Sequence, residues 1–129
     1  MPMYTCTTVE SVLADDVKAE LAAEISTIHS KINRVPSTYV NVVFLDLPSD
    51  SVYTDGDRAR PLLITSWVRN GHSEDGTSRL ATEIADAAAR ITGIPAARIK
   101  VATGESYRSP TPRRRTAISR AAGRPAQRC

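Results

Sequence analysis

Residues 21–36 read LAAEISTIHSKINRVP, and residues 80–95 read LATEIADAAARITGIP. Six positions are identical between them: Leu21/Leu80, Ala22/Ala81, Glu24/Glu83, Ile25/Ile84, Ile32/Ile91 and Pro36/Pro95. Each stretch sets its aliphatic residues three and four positions apart, the spacing that lines one face of a helix. Each ends on a proline, which excludes the preceding residue from helical backbone. The match extends outward at the same offset of 59, so that residues 2–46 lie over 61–105 with 10 identities in 45 ungapped positions. The further identities are Pro2/Pro61, Val9/Val68, Asp16/Asp75 and Val42/Val101. An Ala-rich helix gives a few identities by chance, but chance does not readily align both prolines and the strands that follow them. Self-similarity of this kind means one supersecondary unit used twice.

Each unit reads strand, helix, strand. Met3 to Val9 is rich in residues with β propensity. Leu13, Val17, Leu21, Ile25, Ile28 and Ile32 make the first helical stripe, with Asp15 and Asp16 suited to the positive end of the helix dipole. Asn33 to Pro36 ends the helix, and Tyr39 to Leu47 is the second strand. In the second unit Leu62 to Val68 is the strand and Ser73 a candidate N-cap. Leu80, Ile84, Ala87 and Ile91 form the stripe, Thr92 to Pro95 the helix end, and Ile99 to Ala102 the last strand. Residues 48–60 form a polar connector. A strand–helix–strand crossover makes its two strands parallel and puts the helix on one face. The expected fold is therefore α/β, a two-layer sandwich with a four-stranded mixed sheet and two helices on one face. Tyr39, Phe44, Trp67 and the aliphatic strand residues would leave the other face apolar, which predicts oligomerisation.

The length of 129 residues fits one domain with a core of its own. Apolar residues at 41% and charged residues at 24% are the balance of a soluble globular protein. There is no apolar run long enough to span a bilayer and no signal-peptide pattern, so a cytoplasmic protein without a membrane partner is expected. Cys6 and Cys129, at opposite ends, suit neither a disulfide framework nor a local metal site. The formal charge of +3 hides a division. Residues 1–107 hold 10 Lys and Arg against all 14 Asp and Glu, a net of −4. Residues 108–129 hold seven arginines and no acid, a net of +7. With one large aliphatic residue, Ile118, and no aromatic, this tail has too little apolar surface to offset the entropy of ordering it.

A Met-Pro start opening a strand, two β-α-β units about 60 residues apart, His29 on the first helix and the stretch Trp67-Val68-Arg69-Asn70-Gly71-His72 resemble the tautomerase superfamily. Within it, the chain is most similar to the cis-3-chloroacrylic acid dehalogenase-like group. The resemblance covers roughly residues 2–101, makes residues 1–107 a tautomerase-like domain and implies a homotrimer. It also implies that Pro2, freed by removal of Met1, is the catalytic acid and base. A secondary amine is a rigidly held base, and an apolar pocket near arginine disfavours its charged form. Pro61 has no free amine. By resemblance Arg69 binds the substrate carboxylate, for which a guanidinium offers a bidentate grip. His29 binds a carboxylate or carbonyl, and His72 stands where the dehalogenases carry a second arginine.

The chain departs from the dehalogenases in other ways. Their tyrosine on the last strand falls on Ala102, and no acid follows Glu105 to replace their water-activating glutamate. Proton transfer by Pro2 needs neither, so the expected activity is cofactor-independent enol–keto tautomerisation of small 2-keto carboxylates. Three alternatives stand beside it: a dehalogenase-like hydratase with weak activity, a catalytically silent trimeric scaffold, and nucleic-acid binding by the arginine tail. The last is disfavoured by an acidic body and by a tail without aromatics for base stacking. No Gly-rich phosphate loop or metal-ligand cluster is present in the sequence, so no cofactor is expected.

Overall fold

The structure, a computed structural model, describes residues 2–68 and 74–105. The expected N-cap Ser73 and the tail 108–129 lie outside these residues. Strand β1 (Met3–Val9) alternates as a half-buried strand should, with Tyr4, Cys6 and Thr8 buried on one side. Helix α1 (Asp15–Asn33) starts after Ala14 without a side-chain cap and carries Asp15 and Asp16 in its first turn. It stops at Arg34, which takes left-handed backbone at φ 57°.

Strand β2 (Asn41–Leu47) begins two residues later than the sequence predicts. The chain first makes a 3-10 turn over Ser37–Tyr39, closed by the Tyr39 N–H donating to the Pro36 carbonyl at 3.0 Å. The connector holds an element that its polarity hides. Strands β3 (Tyr53–Thr54) and β4 (Asp57–Arg58) form a small hairpin whose turn, Asp55-Gly56, has φ of 53° and 82°. A tight hairpin turn needs two positive φ values, and Asp-Gly supplies them at low cost.

Strand β5 (Leu62–Val68) and helix α2 (Glu74–Thr92) follow, and Gly93 at φ 75° ends the helix. Strand β6 (Ile99–Glu105) runs three residues past its expected end at Ala102. Gly104 and Glu105 have low strand propensity, but the backbone of Thr103-Gly104-Glu105 completes the ladder to Ser66-Trp67-Val68. The Trp67 ring also lies against Gly104, where an added Cβ would sit 3.6 Å from the indole.

The sheet order is β2-β1-β5-β6, parallel within each unit and antiparallel between β1 and β5. The core lies between the sheet and the helices. Leu21, Ile25 and Ile28 of α1 and Leu80, Ile84 and Ala87 of α2 pack over Tyr4, Cys6, Leu62, Ile64 and Ile99. Each fully buried aliphatic side chain contributes about 1.5–3 kcal/mol. Lys18 ties α1 to β2 through Asp46 at 2.6 Å, and Arg90 reaches Glu24 across the helix pair at 3.4 Å.

The repeat is real, but its offset is not constant. In the helices and second strands, 59 holds: Leu21, Ile25, Ile28 and Val42 stand where Leu80, Ile84, Ala87 and Val101 stand. The first strands are shifted. Met3 pairs with Asn41, whereas Leu62 pairs with Ile99, one residue nearer in sequence. A one-residue slip exchanges the two faces of a strand. Tyr4 and Cys6 therefore stand where Ile64 and Ser66 stand, and Pro2 matches Leu62 rather than Pro61. The bare face is apolar, with Met3, Val43, Leu45 and Trp67 (56% exposed) as its large apolar residues. Two of the three aromatics expected there are elsewhere. Phe44 alternates to the helix side, where it packs against the core and under Lys18, and Tyr39 lies in the 3-10 turn before β2.

Candidate functional site

Because α1 runs back antiparallel to β1, its last turn returns to the end of the sheet where the chain begins. That geometry brings Pro2 and His29 to the same end. Pro2 is half-buried, and its carbonyl accepts a 3.1 Å hydrogen bond from the Asn41 N–H. The start of β1 is thereby anchored to β2, with the proline ring at the rim of the sheet. Next to it, Met3 pairs with Trp67, one residue before the end of β5. Arg69 and His72, the other two expected substrate ligands, follow that end in sequence and lie outside the described residues.

His29 sits deeper than its sequence position indicates. One place beyond the aliphatic stripe predicts the edge of the buried face, yet the side chain is 2% exposed. The reason is a polar partner inside the fold. The Tyr4 hydroxyl lies 2.7 Å from His29 Nδ1, and the rings meet edge to face at 5.6 Å and 81°. The amide nitrogen of Asn33, one turn further along α1, is 3.1 Å from Nε2 and 3.3 Å from Nδ1. Burial pushes the Tyr4 phenol well above its ordinary range, so it remains protonated. Ser66, paired with Tyr4 across the strands, is also buried on this face. Its hydroxyl has no hydrogen-bond partner among the described residues.

Tyr4 and Asn33 carry no local sequence signal for this role. The alternation of β1 could have put Tyr4 on the helix side, but a bond between residues 25 apart is a product of the fold. Pro61 is at the opposite end of the sheet, where its carbonyl accepts a hydrogen bond from the Thr8 hydroxyl at 2.9 Å. Ala102 is exposed on the bare face, paired with Thr65. Cys6 is buried, its thiol pushed up to about 12, so it is an apolar core residue rather than a nucleophile. Among the described residues, no group of three or more His, Cys, Asp or Glu is placed to hold a metal. No described helix is long and apolar enough to cross a membrane. A groove of about 390 Å³ between the helices is rimmed by Glu24, Lys31, Glu83, Asp86 and Arg90 over a floor of Ile28 and Ala87. Arg90 pairs with Glu24 across it, and it holds none of the expected site residues.

Residues 1–93 match the family model described as a putative oxalocrotonate tautomerase enzyme. The chain belongs to the tautomerase superfamily. A solved structure described as native Ps01740 is 30% identical, with a TM-score of 0.78 over 80% of this chain and 92% of that one. N1, a member of the cis-3-chloroacrylic acid dehalogenase family, is 22% identical with a TM-score of 0.78, over 80% of this chain and 73% of that one. A fused 4-OT described as a symmetric trimer is 13% identical with a TM-score of 0.74, over 80% and 84%. At these lower identities the likeness is one of fold. No curated protein sequence matches the chain. In this chain the fold brings Pro2 to the same end of the sheet as the buried, hydrogen-bonded His29.

Proposed function

We propose that the chain is a cofactor-independent tautomerase that interconverts enol and keto forms of small 2-keto carboxylates. The observation that carries this reading is the placement of Pro2 and the Tyr4–His29 pair at one end of the sheet in a tautomerase-superfamily chain. Removal of Met1 leaves the Pro2 nitrogen as a secondary amine. In the keto-to-enol direction the amine takes a proton from the carbon next to the carbonyl, and negative charge moves to the carbonyl oxygen. The resulting ammonium then delivers a proton to that oxygen. Arg69 holds the carboxylate, His29 donates a hydrogen bond to the oxygen where charge develops, and His72 assists binding without a permanent charge.

The dehalogenase-like hydratase reading asks for a water-activating pair, and Ala102 cannot supply its tyrosine half. The apolar outer face supports assembly as a homotrimer, since four large apolar side chains would otherwise remain in water. A cytoplasmic location completes the proposal.

The test is ketonisation of phenylenolpyruvate by the purified protein, with intact mass showing that Met1 is absent. Pro2→Ala is expected to lower kcat/KM by about 10²–10⁴-fold, the range that acid–base catalysis contributes. Undiminished turnover in that variant, or Met1 retained on an active protein, overturns the proposal.

A further inference from the structure

Tyr4 does not reach the reacting atoms in the scheme above, yet it makes a short 2.7 Å hydrogen bond to a residue that does. We infer that Tyr4 is a positioning residue: its buried hydroxyl donates to His29 Nδ1 and so fixes the imidazole as the neutral tautomer with its proton on Nε2. The inference rests on the proposed role of His29 as a donor to the substrate, and it assigns the atom from which that donation comes.

The hydrogen-bond inventory of the cluster supports it. Tyr4 is fully buried and its hydroxyl retains its proton, so that proton must have an acceptor. Ser66 stands across the strand pair, but its hydroxyl has no hydrogen-bond partner among the described residues. His29 Nδ1 at 2.7 Å is the acceptor in reach. A ring nitrogen that accepts has a lone pair, and a neutral imidazole then carries its proton on the other nitrogen. The reverse arrangement, with Nδ1–H donating to the phenol oxygen, leaves the phenol proton buried with nowhere to go.

Asn33 does not oppose this. Its amide nitrogen stands 3.1 and 3.3 Å from the two ring nitrogens. A group almost equidistant from both points along neither lone pair, and such bonds weaken steeply with angle. The short bond from Tyr4, whose proton needs Nδ1 as its acceptor, therefore decides the tautomer. The edge-to-face packing of the rings at 81° holds the imidazole plane while the hydrogen bond sets its protonation.

The experiment is long-range proton–nitrogen NMR of protein labelled with ¹⁵N-histidine at neutral pH, with the two histidines assigned through a His72→Gln variant. In the wild-type protein His29 should show a protonated Nε2 and an unprotonated Nδ1. A protonated Nδ1, alone or in a doubly protonated ring, overturns the inference without any variant. Tyr4→Phe keeps the ring and removes the donor. It should mix or reverse the tautomer and lower kcat/KM for phenylenolpyruvate by about 10–100-fold, the usual cost of losing the outer partner of a functional histidine. An unchanged tautomer in Tyr4→Phe, or a changed tautomer with kcat/KM within about twofold of wild type, also overturns it. Pro2→Ala should lower kcat/KM by about 10²–10⁴-fold with the His29 signature intact, so failure of the tautomerase reading is distinguishable from failure of this one.

Discussion

The two β-α-β units fold on one plan and fill it differently. In the second unit Ile64 on the strand and Ala88 on the helix are both buried in the ordinary apolar core. In the first unit the corresponding places hold Tyr4 and His29, which meet as a buried hydrogen-bonded pair. The helix ends differ in the same spirit: Gly93 adopts left-handed backbone without penalty, while Arg34 adopts it with a side chain in the way. Duplicated architecture thus separates two tasks. Both copies contribute to the core, but only the first buries a polar pair, at the end of the sheet where Pro2 lies.

Three sets of variants can break or sharpen that contrast. The largest effect lies where the units should be alike. Leu21→Ala and Leu80→Ala remove equivalent, fully buried side chains. Each should cost about 2–5 kcal/mol in denaturant unfolding. A loss confined to one variant would mean that only one unit carries the core.

A smaller effect lies where the units differ. His29→Ala copies Ala88 but strands the Tyr4 hydroxyl in the core, at a cost of about 1–3 kcal/mol. Adding Tyr4→Phe should then recover about 1 kcal/mol, because the orphaned group is gone. Simple additivity of the two substitutions would show that the pair is not coupled.

The smallest effect is at the helix end. Arg34→Gly copies Gly93 and should stabilise by about 1 kcal/mol, seen as a rise in Tm. A fall in Tm would mean that the arginine side chain does more than tolerate its backbone.

Much of this was legible in the sequence, and the exceptions have physical causes. Strand β1 follows from β propensity and both helices from local periodicity, neither of which needs knowledge of neighbours. The slip in the first strands escaped the ungapped match because Thr-rich β1 alternates weakly, so its facing is fixed by pairing with β2 and β5 rather than by its own pattern. The β3–β4 hairpin is polar on both arms, and its one signal was the Asp55-Gly56 dipeptide. Pro2 and His29 could be placed at one end of the sheet from topology alone. The depth of His29 could not, because it depends on a partner supplied by another element.

The central claim is that catalysis resides in the Pro2 amine of the first unit and has no counterpart in the second. It is tested most directly by the rate of phenylenolpyruvate ketonisation measured side by side for wild type, Pro2→Ala and Pro61→Ala. The account predicts a fall of about 10²–10⁴-fold in kcat/KM for Pro2→Ala, and a folded Pro61→Ala variant within about twofold of wild type. Equal activity in all three, or equal loss in both variants, would contradict it.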